Sequence, residues 1–166
     1  MVLQALDFMK GLDNSQQKQP VNMMALLESL QEDYQDAGKI VTIEGTVQSP
    51  FFGVASLLKR CLVNILDNAI FYGKSAHITI KDSEQELVLS IRDNGTGIAE
   101  NELEKVFDPF YRLEQSRNRQ TGGTGLGLSI ARNIVQNHGG KIHLSNHPEG
   151  GLEVSLILPR TNLEKT

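Results

Sequence analysis

The chain has 166 residues, a formal net charge of −4 and 39% hydrophobic residues, which is room for one domain with a real core and excludes global disorder. The acidic balance excludes nucleic-acid binding driven by bulk charge. No apolar run reaches bilayer length, the first residues lack a signal peptide's basic region, and Cys61, the single cysteine, excludes an internal disulfide or a cysteine zinc site.

Val2, Leu3, Leu6 and Met9 recur at helical spacing, so residues 2–12 read as the end of a longer helix. The polar stretch 13–20 ends in Pro20 and reads as a linker. Met23, Met24, Leu26, Leu27 and Leu30 predict a helix that stops at Gly38, followed by a short strand over 39–45. A helix is predicted over 53–72, with Leu58, Leu62, Ile65, Leu66 and Ala69 on one arc as its core face. Two hairpins follow the period-two pattern, 76–81 with 86–93 and 140–146 with 151–159. Between them, 113–123 has almost no apolar content, as in a lid or a disordered insertion. A helix over 128–137 then stops at His138-Gly139-Gly140. Helices alternating with antiparallel hairpins predict an α/β two-layer sandwich, one mixed sheet with helices on one face.

Three clusters carry possible chemistry. Asn64 and Asn68 lie four residues apart at the edge of the helix's core arc, with Asp67 on the far side. A lone asparagine there would cap a loop, whereas two stacked amides present neutral oxygens suited to a hard cation such as magnesium on a triphosphate. In RDNGTGI (92–98), Asp93 continues the inward row of Leu87, Leu89 and Ile91. It is either a turn-forming residue before Asn94-Gly95 or an acceptor for an exocyclic amine, with Gly95 and Gly97 admitting a flat ring; spacing leaves the two even. In TGGTGLGLSI (121–130), Gly123, Gly125 and Gly127 alternate before a helix, the composition of an anion site or of a hinge. The motif is neither a Walker A loop nor a dinucleotide fingerprint. In FDPFYR (107–112), Phe107, Phe110 and Tyr111 read as packing, and Arg112 as a solvated charge or a phosphate contact. His77, His138, His143 and His147 have no metal-ligand spacing, and Cys61 reads as a small core residue.

In this order LVNILDNA, DNGTGI, FDPFYR and GGTGLGL resemble the N, G1, F and G2 boxes of bacterial sensor histidine kinases, members of the ATPase superfamily shared with type II topoisomerases, a chaperone and mismatch-repair proteins. NHGGKIHLSN with GLEVSLILP resembles the family's closing hairpin, and the likeness covers about 20–160. The resemblance implies ATP and Mg2+ as cofactors, with Asn68 as metal ligand, Asn64 beside it near the phosphates and Asp93 reading adenine. It further implies Gly95 and Gly97 lining the base, Tyr72 and Ile98 as nucleotide-binding residues, Gly123, Thr124, Gly125, Leu126 and Gly127 on the phosphates, and Asn64 and Arg112 as catalytic residues. Residues 99–122 would be an ATP lid, and Arg112 would approach the terminal phosphate.

The family often has Lys or Arg where this chain has Phe71, and no His-Glu/Asp-x-x-Thr-Pro phospho-acceptor segment occurs. The resemblance therefore implies a catalytic ATP-binding domain over 20–160, preceded by the end of a dimerisation helix and linker (1–19) and followed by a tail (161–166). Such a domain would donate the γ-phosphate to a histidine on a separate dimerisation domain, for relay to a response-regulator aspartate. The implied setting is a soluble, monomeric, cytoplasmic piece of a homodimeric inner-membrane sensor. One rival is a superfamily ATPase, whose N box begins with a glutamate where this chain has Asn64; an amide cannot take a proton from water. The other is a nucleotide-responsive binding module without kinase activity, supported by Phe71.

Overall fold

A computed structural model describes residues 17–108 and 127–160. The expected helix over 2–12, the 109–122 part of the expected lid and the tail from 161 fall outside the described residues. In chain order the elements are β1 (Gln19–Val21), α1 (Met23–Asp36), β2 (Ile40–Glu44), β3 (Phe51–Gly53), α2 (Ala55–Gly73), β4 (Ser75–Asp82) and β5 (Glu86–Asp93). Two short 3-10 turns follow at Glu100–Glu102 and Lys105–Phe107, then α3 (Gly127–Asn137), β6 (Lys141–Asn146) and β7 (Leu152–Pro159).

Five strands form one mixed sheet in the order β2-β4-β5-β7-β6, with β2 parallel to β4 and the other pairs antiparallel. The period of two buries alternate residues on one face: Ala76, Ile78 and Ile80 on β4, Leu87, Leu89 and Ile91 on β5, and Leu152, Val154, Leu156 and Leu158 on β7. The helices lay their apolar arcs on that face, so sheet and helices share one core, as the alternating pattern predicts. Asn22 caps α1, its side chain accepting from the Ala25 amide at 3.0 Å, and Met23, Leu27 and Leu30 face inward at helical spacing. On α2, Leu58, Cys61, Leu62, Ile65, Leu66 and Ala69 are buried, which is the expected arc with Cys61 added. Cys61 donates to the Ala131 carbonyl of α3 at 3.7 Å, and burial pushes its thiol up to about 12, so it stays a protonated core group.

Two short strands depart from the sequence reading. The polar stretch expected as linker through Pro20 contributes Gln19 and Pro20 to β1, which pairs antiparallel with β3. Phe51–Gly53 is therefore strand at the point where a helix was expected to begin, and α2 starts at Ala55. Three-residue strands carry too little periodicity to read. What holds this pair is the burial of Val21 and Phe51 in the common core, and a two-stranded edge tolerates Pro20. His138 secures the same corner. Its Nε2 accepts from the Val54 amide ahead of α2 at 3.1 Å, while its Nδ1 bonds the Ile134 carbonyl of α3 at 2.8 Å.

Candidate functional site

The alternation on β5 does carry Asp93 inward, where it is 3% exposed. Its Oδ1 accepts from the Gly95 amide at 2.8 Å and from the Leu152 amide of β7 at 3.1 Å. The first bond is an Asx turn, so the turn reading holds; it leaves Oδ2 with no bond among the described residues, so the amine-acceptor reading stays open beside it. Burial pushes the Asp93 carboxyl above its ordinary value, against the opposing pull of the two amides and the Arg92 charge.

The end of α2 presses on this turn. A Cβ at Gly73 would lie 2.6 Å from the Asn94 amide nitrogen and from Asp93 Cβ, and one at Gly95 would lie 2.8 Å from the Tyr72 carbonyl oxygen. Gly97 has φ +80°, and a Cβ there would fall on Asn146 Oδ1. These glycines thus admit neighbouring protein groups, a reason for glycine beyond room for a flat ring. Ile98 is bonded through both its amide and its carbonyl to the Asn146 side chain, at 2.8 and 2.6 Å.

Asn64, Asn68 and Tyr72 follow one ridge of α2 at intervals of four, roughly 12 Å of helix, and all three are half-buried. Tyr72 meets the Phe71 ring edge-on, 4.8 Å between centroids. At the far end of the ridge Gly127, the first residue of α3, lies against Asn64, a Cβ there standing 3.8 Å from Asn64 Cβ. Asn64 Nδ2 is buried without a partner among the described residues. An orphaned donor beside a helix N-terminus, where unpaired amides and the helix dipole favour negative charge, suits an anion's oxygen.

The structure thus brings Tyr72, Asp93, Gly95, Gly97 and Ile98 together at one end of α2, and Asn64 with Gly127 at the other, Asn68 between them. Arg112, Gly123, Thr124, Gly125 and Leu126 lie outside the described residues. The described start of the expected lid is packed, with Val106 and Phe107 buried in the core and Arg132 of α3 stacked 4.9 Å over the Phe107 ring. Sequence reasoning missed Gly73, Asn146 and the Leu152 amide. A backbone amide leaves no trace in a side-chain pattern, and Asn146 beside a turn reads as turn chemistry.

Among known proteins, the family described as histidine kinase-, DNA gyrase B- and HSP90-like ATPase matches residues 53–162. The sensor histidine kinase GtrS of Pseudomonas aeruginosa is 40% identical over 164 residues, covering 99% of this chain and 34% of the relative. The signal transduction histidine-protein kinase BaeS of Escherichia coli is 34% identical over 150 residues, 86% of this chain and 32% of the relative. The chain thus spans about a third of the length of these curated relatives. The solved catalytic domain of histidine kinase ThkA superposes with a TM-score of 0.72 at 26% identity, covering 89% of this chain and 100% of that one. The ATP binding domain of PrrB from Mycobacterium tuberculosis does so with a TM-score of 0.71 at 25% identity over the same shares.

Proposed function

The chain belongs to the histidine kinase-, DNA gyrase B- and HSP90-like ATPase family, and from that premise we propose that it is the ATP-binding catalytic domain of a sensor histidine kinase. In this reading it donates the γ-phosphate of ATP to a histidine on a separate dimerisation domain of a homodimeric parent, for relay to a response-regulator aspartate. Residues 20–160 form the domain, 1–19 the end of the dimerisation helix and its linker, and 161–166 a tail. In this reading the domain works in the cytoplasm as part of an inner-membrane sensor.

The observation that carries the reading is Asn64. It stands where α2 meets the N-terminus of α3, with a buried donor unpaired among the described residues, and it is an amide rather than an acid. Asn64 can hold a phosphate oxygen and cannot deprotonate water. Such a site grips ATP without hydrolysing it, which a kinase needs. Asp93 Oδ2 accepts from the adenine amino group, while Tyr72, Gly95, Gly97 and Ile98 frame the base. Asn68 offers a neutral amide oxygen, and no cluster of three His, Cys, Asp or Glu side chains lies among the described residues. That donor set fits a magnesium ion that keeps waters and phosphate ligands. When bound, magnesium neutralises charge on the transferring phosphoryl group. In this reading the amides of Gly123, Thr124, Gly125, Leu126 and Gly127 grip the phosphates, and Arg112 approaches the terminal one. The new P–N bond forms as the β–γ bridging P–O bond breaks, and ADP leaves with the electron pair.

The test is transfer of labelled γ-phosphate from ATP to a supplied histidine-bearing helix pair. The expected result is label on histidine, slow phosphate release without the acceptor, and only a modest rise in release for Asn64→Glu. Rapid release by the unaltered chain, abolished by Asp93→Asn, would favour the hydrolase. Nucleotide binding with neither transfer nor release would favour the binding module.

A further inference from the structure

One cross-strand pair holds the loop Asp93–Ile98 from behind. Asn146, the last residue of β6, and Leu152, the first of β7, are partners in the sheet register. Leu152 donates its amide to Asp93 Oδ1 at 3.1 Å and so fixes the front of the loop. Asn146 fixes the back: its Oδ1 accepts from the Ile98 amide at 2.8 Å, and its Nδ2 donates to the Ile98 carbonyl at 2.6 Å. A side-chain amide closing on both polar groups of one residue sets that residue's position and rotation, as a neighbouring strand would. The bridge requires Gly97, since a Cβ at that φ of +80° would occupy the place of Asn146 Oδ1. Behind the pair, the turn is closed by the His147 amide donating to the Gly151 carbonyl at 2.8 Å and tied to β5 by Arg92 Nε donating to the Gly150 carbonyl at 3.1 Å. These bonds all lie at the Asp93 end of α2, away from Asn64 and Gly127.

Resting on the reading that Asp93 receives the base, we infer that Asn146 is a positioning residue for it, holding Gly97 and Ile98 in the base-accepting shape before nucleotide arrives. The residue touches Ile98 and acts through it. Its contribution is preorganisation: a loop already shaped by the protein draws no ordering penalty from the binding energy.

The experiment is calorimetry of ATP, ADP and GTP with the whole chain, well below its unfolding temperature. Asn146→Ala is expected to weaken ATP and ADP by the same factor, about five- to thirtyfold, and to narrow the ATP-over-GTP preference. Asn146→Asp keeps an acceptor for the Ile98 amide and is expected to recover part of the loss. A residue that only braces the fold would lower Tm and leave the folded-state Kd and the ATP-to-GTP ratio unchanged, and that result overturns the inference. Amide exchange needs no variant: the Ile98 amide should exchange slowly in the nucleotide-free chain, and free-peptide exchange would overturn the inference. If the unaltered chain binds no ATP, the nucleotide reading itself fails. If it binds ATP and Asn146→Ala binds it equally well, only the role of Asn146 falls.

Discussion

Asp82 and Asp93 sit at opposite ends of the β4–β5 hairpin, both with carboxylates taken out of water, and their oxygens are engaged differently. Asp82 is a fastener. Arg160 grips it with two bonds, Nε to Oδ1 at 2.9 Å and Nη2 to Oδ2 at 2.8 Å, and the Gln48 amide adds a third at 2.7 Å. The same guanidinium donates to the Pro50 and Ser49 carbonyls, tying the loop before β3 to the end of β7. Both Asp82 oxygens are thus answered by protein. Among the described residues Asp93 has only two backbone amides, both on one oxygen. A buried charge answered on both oxygens serves the fold, while one with an acceptor left over is available to a donor from outside.

The contrast breaks most visibly at Asp82. Asp82→Ala leaves the Arg160 guanidinium buried without its partner, and chemical denaturation should show a loss of about 3–5 kcal/mol. The ATP affinity of the folded fraction should stay within about twofold, as the two ends are far apart and share no partner. A large affinity change in folded protein would erase the division between the ends.

At Asp93 the expected effect is reversed. Asp93→Asn still lets an amide oxygen accept from Gly95 and Leu152, so stability should change by under about 1 kcal/mol. On the proposed reading the second acceptor becomes a donor toward adenine's amino group, which should weaken ATP by about 1–3 kcal/mol, up to roughly a hundredfold. Calorimetry beside a denaturation curve checks both halves, and unchanged ATP binding would remove Asp93 from the site.

Acid should separate the two ends further. Because burial raises the folded-state value of Asp93, its contribution to stability is full below the unfolded value and declines as pH rises through the raised one. If Asp93 receives adenine as proposed, the charged form is the one needed, so ATP affinity should fall as pH drops through that raised value, and Asp93→Asn should flatten the profile. At the fastened end His138 has the opposite sign. Burial, with the Lys18 charge, holds its folded value below 6.5 against the pull of the Ile134 carbonyl. The stability of neutral His138, whose Nε2 accepts from Val54, is present above about 6.5 and is lost as pH falls through the lowered value. Denaturation curves between pH 7 and 5 should show that loss, and His138→Gln should remove its pH dependence.

The smallest expected effect is at the junction behind Asp93. Lys74 closes α2 with φ +65°, the one non-glycine residue in that region among those described. Lys74→Gly should raise stability by less than about 1 kcal/mol and leave ATP affinity unchanged, read from the shift in Tm.

The sequence by itself determined the periodic parts of this protein. Alternation on 86–93 turned Asp93 inward, the arc of α2 set the core face and placed Asn64 and Asn68 on its edge, and the four boxes in order named the family. Each is a local property, fixed by 3.6 residues per turn or two per strand, and it survives whatever the rest of the chain does. Tertiary structure alone decided the pairings between distant residues. Nothing in the sequence pattern joins Arg160 to Asp82, Asn146 to Ile98, His138 to Val54, or Gln19–Val21 to Phe51–Gly53. The first two exist because the sheet is ordered β2-β4-β5-β7-β6, which sets β7 beside β5 and brings the 146–152 turn behind the Asp93 loop, while the last two join the end of α3 and a separate two-stranded sheet at the start of α2. Strand order is a global packing outcome with no period of its own, so the bonds that shape the Asp93 end of the site became visible only once the chain was folded.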